Sequence, residues 1–172
     1  MPMSEYVKNL RSAMGHGRLL LPSVSSLIYD DLGRLLLVRQ SDGGAWSTPG
    51  GAIEFDETPA DAVVRETWEE TGLSVSVARI FGIYGGPNFV VRYDNGDEAQ
   101  YVMIAFECTV LGGHMQSDGV ETTDVRFWGA DETPNLAPWL KSMFSIFLAR
   151  EANAFFEPAS WSPPADRNAP RQ

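Results

Sequence analysis

Residues 51–73, GAIEFDETPADAVVRETWEETGL, constrain the chain more than any other stretch, because they put three carboxylates on one side of a short helix directly behind a glycine pair. Thr58 offers an N-cap hydroxyl, Pro59 suits the first helical position, and Asp61 puts an acid in the first turn. Gly72 is the matching stop. Between them Glu66, Glu69 and Glu70 are spaced i, i+3, i+4, so their side chains leave the same face. Like charges at this spacing cost about a few tenths of a kcal/mol per pair, and acids in the last turn oppose the helix dipole. A hard divalent cation reverses the sign, since Mg²⁺ and Mn²⁺ take carboxylate oxygens together with phosphate oxygens. The bland alternative is a solvated acidic face on a surface helix, and three glutamates alone do not decide against it.

The neighbours do more. Gly51, Glu57, Arg65, Glu66, Glu69, Glu70, Gly72 and Leu73 follow the order Gly, five residues, Glu, seven residues, Arg-Glu, an aliphatic, any residue, Glu-Glu, any residue, Gly, an aliphatic. In this pattern the chain resembles the Nudix hydrolases, over about residues 19–152. Thr67 departs from it, standing where an aliphatic is usual. A threonine there can pack its methyl group and bond its hydroxyl back to the preceding turn, so the site is expected to survive.

The resemblance implies an α+β chain with the Nudix fold, an α/β/α sandwich with a mixed sheet between helices. It implies water attack on a phosphorus of a nucleoside diphosphate joined to another moiety, with Mg²⁺ or Mn²⁺ as cofactor. On that pattern Glu66, Glu69, Glu70 and the carbonyl of Gly50 face the metal, and Glu66 or Glu70 helps to deprotonate water. Arg65 holds a carboxylate, Glu57 braces the site, and Gly51 and Gly72 support it. Without the helix behind it, Gly50-Gly51 would read as a plain tight turn. Relatives often draw a base from a loop outside the helix. Glu121 is the candidate here, against its reading as a solvated loop acid, with Asp118 and Asp124 as fallbacks.

At 172 residues and 44% hydrophobic content the chain suits one domain. A net charge of −10 argues against a nucleic-acid or anionic-membrane partner and leaves a small nucleotide substrate, once metal neutralises the site. Cys108, the only cysteine, excludes an internal disulfide and reads as a small buried hydrophobe. No basic-then-apolar leader or bilayer-length apolar run is present, so a cytoplasmic location is expected.

The division expected is a helical arm (1–17), a hydrolase domain (18–152) and a Pro-rich, loosely docked tail (153–172) containing Pro158, Pro163, Pro164 and Pro170. Helical spacing in residues 4–14 gives an amphipathic arm that either folds onto its own domain or crosses to a partner in a homodimer. His16 beside it reads as a loop histidine. Residues 19–29 and 35–40 flank a turn and read as a β-hairpin. Strands follow at 73–84, 89–93, 99–111 and 125–128, with an Asn-Gly turn at 94–97. Residues 136–147 read as one amphipathic helix. Asn88, Arg92 and the turn at 94–98 are candidates for substrate contact, and Trp46 or Tyr84 for stacking, each equally readable as a turn or core residue. Trp68 reads as a packing residue, and His114 and Trp161 carry no role.

An ADP-ribose or sugar-nucleotide pyrophosphatase is favoured. The alternatives are a pyrophosphohydrolase clearing damaged nucleoside triphosphates, and a catalytically silent nucleotide-sensing module. A silent domain would be expected to lose Arg65 or a helix carboxylate, and all are present.

Overall fold

The computed structural model describes residues 5–93, 95–132 and 134–160. Asp94 of the expected turn, the start of the expected arm, Trp161 and the prolines at 163, 164 and 170 lie outside the described residues. In chain order the elements are α1 (Glu5–Met14), β1 (Leu19–Leu27), β2 (Leu35–Gln40), β3 (Trp46–Ser47), α2 (Pro59–Thr71), β4 (Leu73–Tyr84) and β5 (Val90–Arg92). They continue with β6 (Glu98–Gly113), β7 (Thr122–Trp128), α3 (Pro138–Lys141), α4 (Phe144–Ala149) and β8 (Phe155–Phe156).

Two sheets form. The first runs β1-β6-β4-β8, with β5 also paired to β6, and it is mixed: β1 is parallel to β6, β4 antiparallel to β6, and β8 parallel to β4. The second runs β3-β2-β7, antiparallel throughout. One core packs Ala62 and Val63 of α2 against Val24, Leu36, Val75 and Phe106. The other packs Leu140 and Phe147 of the C-terminal helices against Leu27, Leu35, Phe81 and Met103. The sheets therefore lie between α2 on one side and α3 with α4 on the other, the expected α/β/α sandwich.

The expected hairpin of residues 19–29 and 35–40 is corrected. β1 and β2 belong to different sheets, and beyond the Asp30–Arg34 bonds that close the turn, contact between them includes a Tyr29–Leu35 bridge and a Leu36 N–H bond to the Ile28 carbonyl at 2.9 Å. Leu35 and Leu37 enter one core while Leu36 enters the other, so β2 has no polar face to fix its pairing partner. The expected single helix at 136–147 is also two. Pro138 starts α3, Ser142 and Met143 interrupt, and α4 resumes. Leu140, Phe144 and Phe147 still share the buried side, while Leu136 bridges to Trp46. The expected strand at 89–93 is shortened by a 3₁₀ turn over Pro87–Phe89.

Of the two alternatives for the arm, α1 takes the first. Val7 packs on Leu19, Leu21 and Ala99, and Arg11 donates to the Glu98 carbonyl at 2.6 Å. His16 lies 2.8 Å from an Asp97 carboxylate oxygen. Cys108 is buried, as expected. Within the expected tail, Phe155–Phe156 extends the first sheet beside Gly82 and Ile83. Among the described residues no helix is long and apolar enough to cross a membrane.

Candidate active site

Helix α2 starts and stops where its caps dictate. The Thr58 hydroxyl oxygen accepts the Asp61 N–H at 3.1 Å, and Gly72, at φ 68°, donates its N–H to the Trp68 carbonyl at 2.9 Å. A Cβ at Gly72 would come within 2.6 Å of the His114 carbonyl oxygen, so glycine is required there by both conformation and space. The Thr67 hydroxyl bonds the Val63 carbonyl at 2.6 Å in full burial, which is how the departure from the aliphatic pattern is accommodated. Trp68 corrects an expectation: it is 55% exposed and belongs to none of the core clusters of the described residues.

The glycine pair is laced to β1. The Pro49 and Gly51 carbonyls accept N–H bonds from Ser26 at 2.8 Å and Val24 at 2.9 Å. Gly50 between them sits at φ 149°, and a Cβ there would lie 2.2 Å from the Val24 carbonyl oxygen. Its N–H turns to the helix and donates to Glu70 Oε2 at 2.9 Å.

Arg65 ties the loop to the acids. It grips Glu57 with two N–H groups, at 2.7 and 3.0 Å, and reaches Glu66 at 2.8 Å, Glu69 at 3.0 Å and the Ala52 carbonyl at 3.2 Å. The hydrogen bonds from Arg65 hold the Glu57 carboxyl below its ordinary range, and the reciprocal bonds from Glu57 and Glu66 push the guanidinium above its own.

The three glutamates differ sharply in environment. Glu69 has a side chain 54% exposed, whereas Glu66 is 5% and Glu70 1% exposed. Burial pushes Glu66 up to about 7, against the hydrogen bond from Arg65. Burial pushes Glu70 up to about 8, against the Gly50 N–H, with the charges of Glu66 and Glu121 adding to the rise. Glu70 Oε1 is buried and has no hydrogen-bond partner.

Glu121 lies where its charge is felt by both Glu66 and Glu70, and burial raises its own carboxyl above the usual range. The fallback acids are placed otherwise. Asp118 accepts N–H bonds from Val120, Glu121 and Thr122, while Asp124 bonds the N–H of its own neighbour Val125 at 2.8 Å on the exposed part of β7.

The stacking candidates are core residues. Trp46 is edge-on to Trp128 at 5.0 Å, and Tyr84 stacks on Phe155 at 5.1 Å. Arg92 is paired with Glu98, and Asn88 sits exposed in the 3₁₀ turn. The structure adds two residues to the neighbourhood. Gln40, where a bulge interrupts the pairing of β2 with β7, lies near enough to Glu70 to oppose the rise of that carboxyl. Phe55, on the loop before Glu57, is 73% exposed with its ring edge-on to Tyr6 at 4.6 Å. A bulge leaves no mark in a sequence; Phe55 stood inside the motif as an unspecified position.

Among the described residues no three His, Cys, Asp or Glu side chains are gathered ready to coordinate an ion, and Arg65 occupies oxygens of both Glu66 and Glu69. The donor set nevertheless suits a hard divalent cation. A buried carboxylate oxygen with no partner is costly, and coordination would satisfy it.

A family model described as the NUDIX domain matches residues 19–149. The chain belongs to the NUDIX family. Among its relatives, a MutT-like protein of Streptomyces ambofaciens is 36% identical over 64% of this chain and 64% of its own length. An ADP-ribose pyrophosphatase of Methanocaldococcus jannaschii is 32% identical over 67% of this chain and 65% of its own. The chain thus spans a little under two thirds of the length of these Nudix relatives. Among solved structures, an ADP-ribose pyrophosphatase from Streptococcus suis is 27% identical, covering 78% of this chain and 96% of its own with a TM-score of 0.62. A UDP-X diphosphatase, 24% identical over 90% of this chain and 75% of its own, shares the fold at a TM-score of 0.64.

Proposed function

We propose that this Nudix protein is a Mg²⁺- or Mn²⁺-dependent pyrophosphohydrolase that cleaves the diphosphate linkage of a nucleoside diphosphate derivative, of ADP-ribose or sugar-nucleotide type. The observation that carries this reading is the buried Glu70 carboxylate. One of its oxygens is held by the Gly50 N–H and the other has no partner, next to a second buried acid, Glu66. The relatives that act on ADP-ribose support the substrate class.

Glu66, Glu69, Glu70 and the Gly50 carbonyl would hold the cation. When bound, it supplies charge to the diphosphate oxygens and lowers the pKa of water. Arg65 keeps Glu57 and the helix acids in register. Glu121 accepts the proton of the attacking water as its oxygen bonds to phosphorus and the P–O anhydride bond breaks, leaving a nucleoside monophosphate and a phosphorylated second half. Phe55, exposed on the loop between the glycine pair and Glu57, offers a ring to a base or ribose. In this reading residues 18–152 form the hydrolase unit, residues 1–17 an arm docked on it, and residues 153–172 a tail.

The test is a panel of ADP-ribose, sugar nucleotides, dinucleoside polyphosphates and oxidised triphosphates, assayed with Mg²⁺ and Mn²⁺ and with products identified. A monophosphate plus a phosphorylated partner is expected. Pyrophosphate release would establish the triphosphate alternative. Nucleotide binding without turnover would establish the silent module, and a calorimetric titration with no uptake of either ion would remove the metal site.

A further inference from the structure

The loop that carries Glu121 is fastened to the end of α2. Gln116 donates its N–H to the Thr71 carbonyl at 2.9 Å, and the fully buried Thr122 hydroxyl reaches the Glu70 carbonyl at 3.1 Å. The His114 carbonyl presses on Gly72 closely enough that no side chain fits between them. Between these fastenings the loop is held by a backbone bond from the Gly119 N–H to the Thr122 carbonyl at 3.0 Å and by one side chain. Asp118 Oδ1 accepts the N–H groups of Val120 at 3.1 Å, Glu121 at 3.1 Å and Thr122 at 2.8 Å, and Oδ2 lies 3.1 Å from the same Glu121 N–H. The Thr122 hydroxyl also stands 3.0 Å from Asp118 Oδ1, so a single residue links the aspartate to the backbone of a helix acid. An aspartate that closes a turn usually takes one or two N–H groups; this one takes three in succession, with Glu121 in the middle. From the other side, the Ser41 N–H holds the Glu121 carbonyl at 2.8 Å.

We propose that Asp118 is a positioning residue: by holding the N–H groups on both sides of Glu121, and through Thr122 the end of α2, it sets the direction in which the Glu121 carboxylate reaches toward Glu66 and Glu70. The proposal rests on the reading of Glu121 as the proton acceptor, but its structural half can be tested without any substrate.

Asp118→Ala removes every acceptor, whereas Asp118→Asn keeps an oxygen at the Oδ1 position, where three of the N–H bonds converge. The full-length chain and both variants are compared in three ways: amide hydrogen exchange at residues 120–122, calorimetric Mn²⁺ binding, and steady-state kinetics on the best substrate of the panel. Asp118→Ala is expected to speed exchange at those amides and to lower kcat by about 10- to 100-fold, as displacement of a reacting group by about 1 Å would, with KM and Mn²⁺ affinity unchanged. Asp118→Asn is expected to restore protection and most of kcat. Unchanged exchange in Asp118→Ala would overturn the proposal whatever the kinetics, and so would an alanine variant with wild-type kcat, or an asparagine variant no better than alanine. Glu121→Gln is run beside them. Wild-type turnover in that variant would refute the role of Glu121 and the catalytic half of the proposal, while the exchange result would still report on how the loop is held.

Discussion

Replacing Arg65 by alanine tests whether the site can hold its own charges. The guanidinium is the cation bonded to Glu66, whose side chain is 6% exposed, and it also serves Glu57 and the open Glu69. Above about pH 7, where Glu66 carries its charge, removing one partner of a buried ion pair costs about 3–5 kcal/mol because the remaining charge is stranded. Arg65 itself is 29% exposed, so water entering its space re-solvates part of the acids. The exposed Glu69 contact adds at most about 0.5 kcal/mol. A net loss of about 2 kcal/mol follows, which for a chain of this size lowers the thermal midpoint by about 4–8 °C. Lysine should recover less than half of this, since a point charge cannot span Glu57 and Glu66 as the planar fork does. The measurement is thermal unfolding followed by circular dichroism, first in EDTA and then with Mn²⁺, where the deficit should shrink as the ion takes over neutralisation. An alanine variant that melts within about 1 °C of wild type in EDTA would show that Glu66 does not depend on Arg65.

Two further predictions concern the same corner. Glu66 and Glu70 titrate at about 7 and about 8 in the folded chain, above their ordinary value of 4.5, so the folded state binds protons that the unfolded chain has released. Stability without metal should therefore fall as pH rises from about 4.5 through about 8. Glu70→Gln should flatten that decline, melt above wild type in EDTA at the alkaline end, and lose hydrolysis; a metal-free wild type that gains stability over this range would contradict the assignment. Gly50→Ala should cost at least about 2 kcal/mol, because the added Cβ meets the Val24 carbonyl oxygen at 2.2 Å and φ is 149°. Chemical denaturation measures this, and near-wild-type stability would mean that the loop is not wedged on β1.

The parts of the molecule legible in its sequence are those governed by local chemistry. The caps of α2, the face shared by its acids, the back-bonded Thr67 and the buried Cys108 each depend on neighbours within a few residues. The pairing of β1 and β2 was not legible, because strands apolar on both faces look alike whichever sheet they join. Nor was the split between α3 and α4, since Leu140, Phe144 and Phe147 keep helical spacing across the interruption. In the site, the motif named the acids but not their environments. That Glu70 lies deep while Glu69 faces water follows from how the glycine loop, Gln40 and the Glu121 loop close over the helix, contacts made between segments 20 to 52 residues apart.

The parallel register of β1 with β6, Leu19 beside Ala99 through Leu27 beside Glu107, has a bearing on how the protein is made. On a ribosome, β1 emerges some 80 residues ahead of this partner, so nine residues, four of them leucine, wait for much of the domain to be synthesised before they join the ladder with β6. The α1 helix, which precedes β1 in the chain and packs on Leu19 and Leu21, is positioned to shelter that strand during the interval.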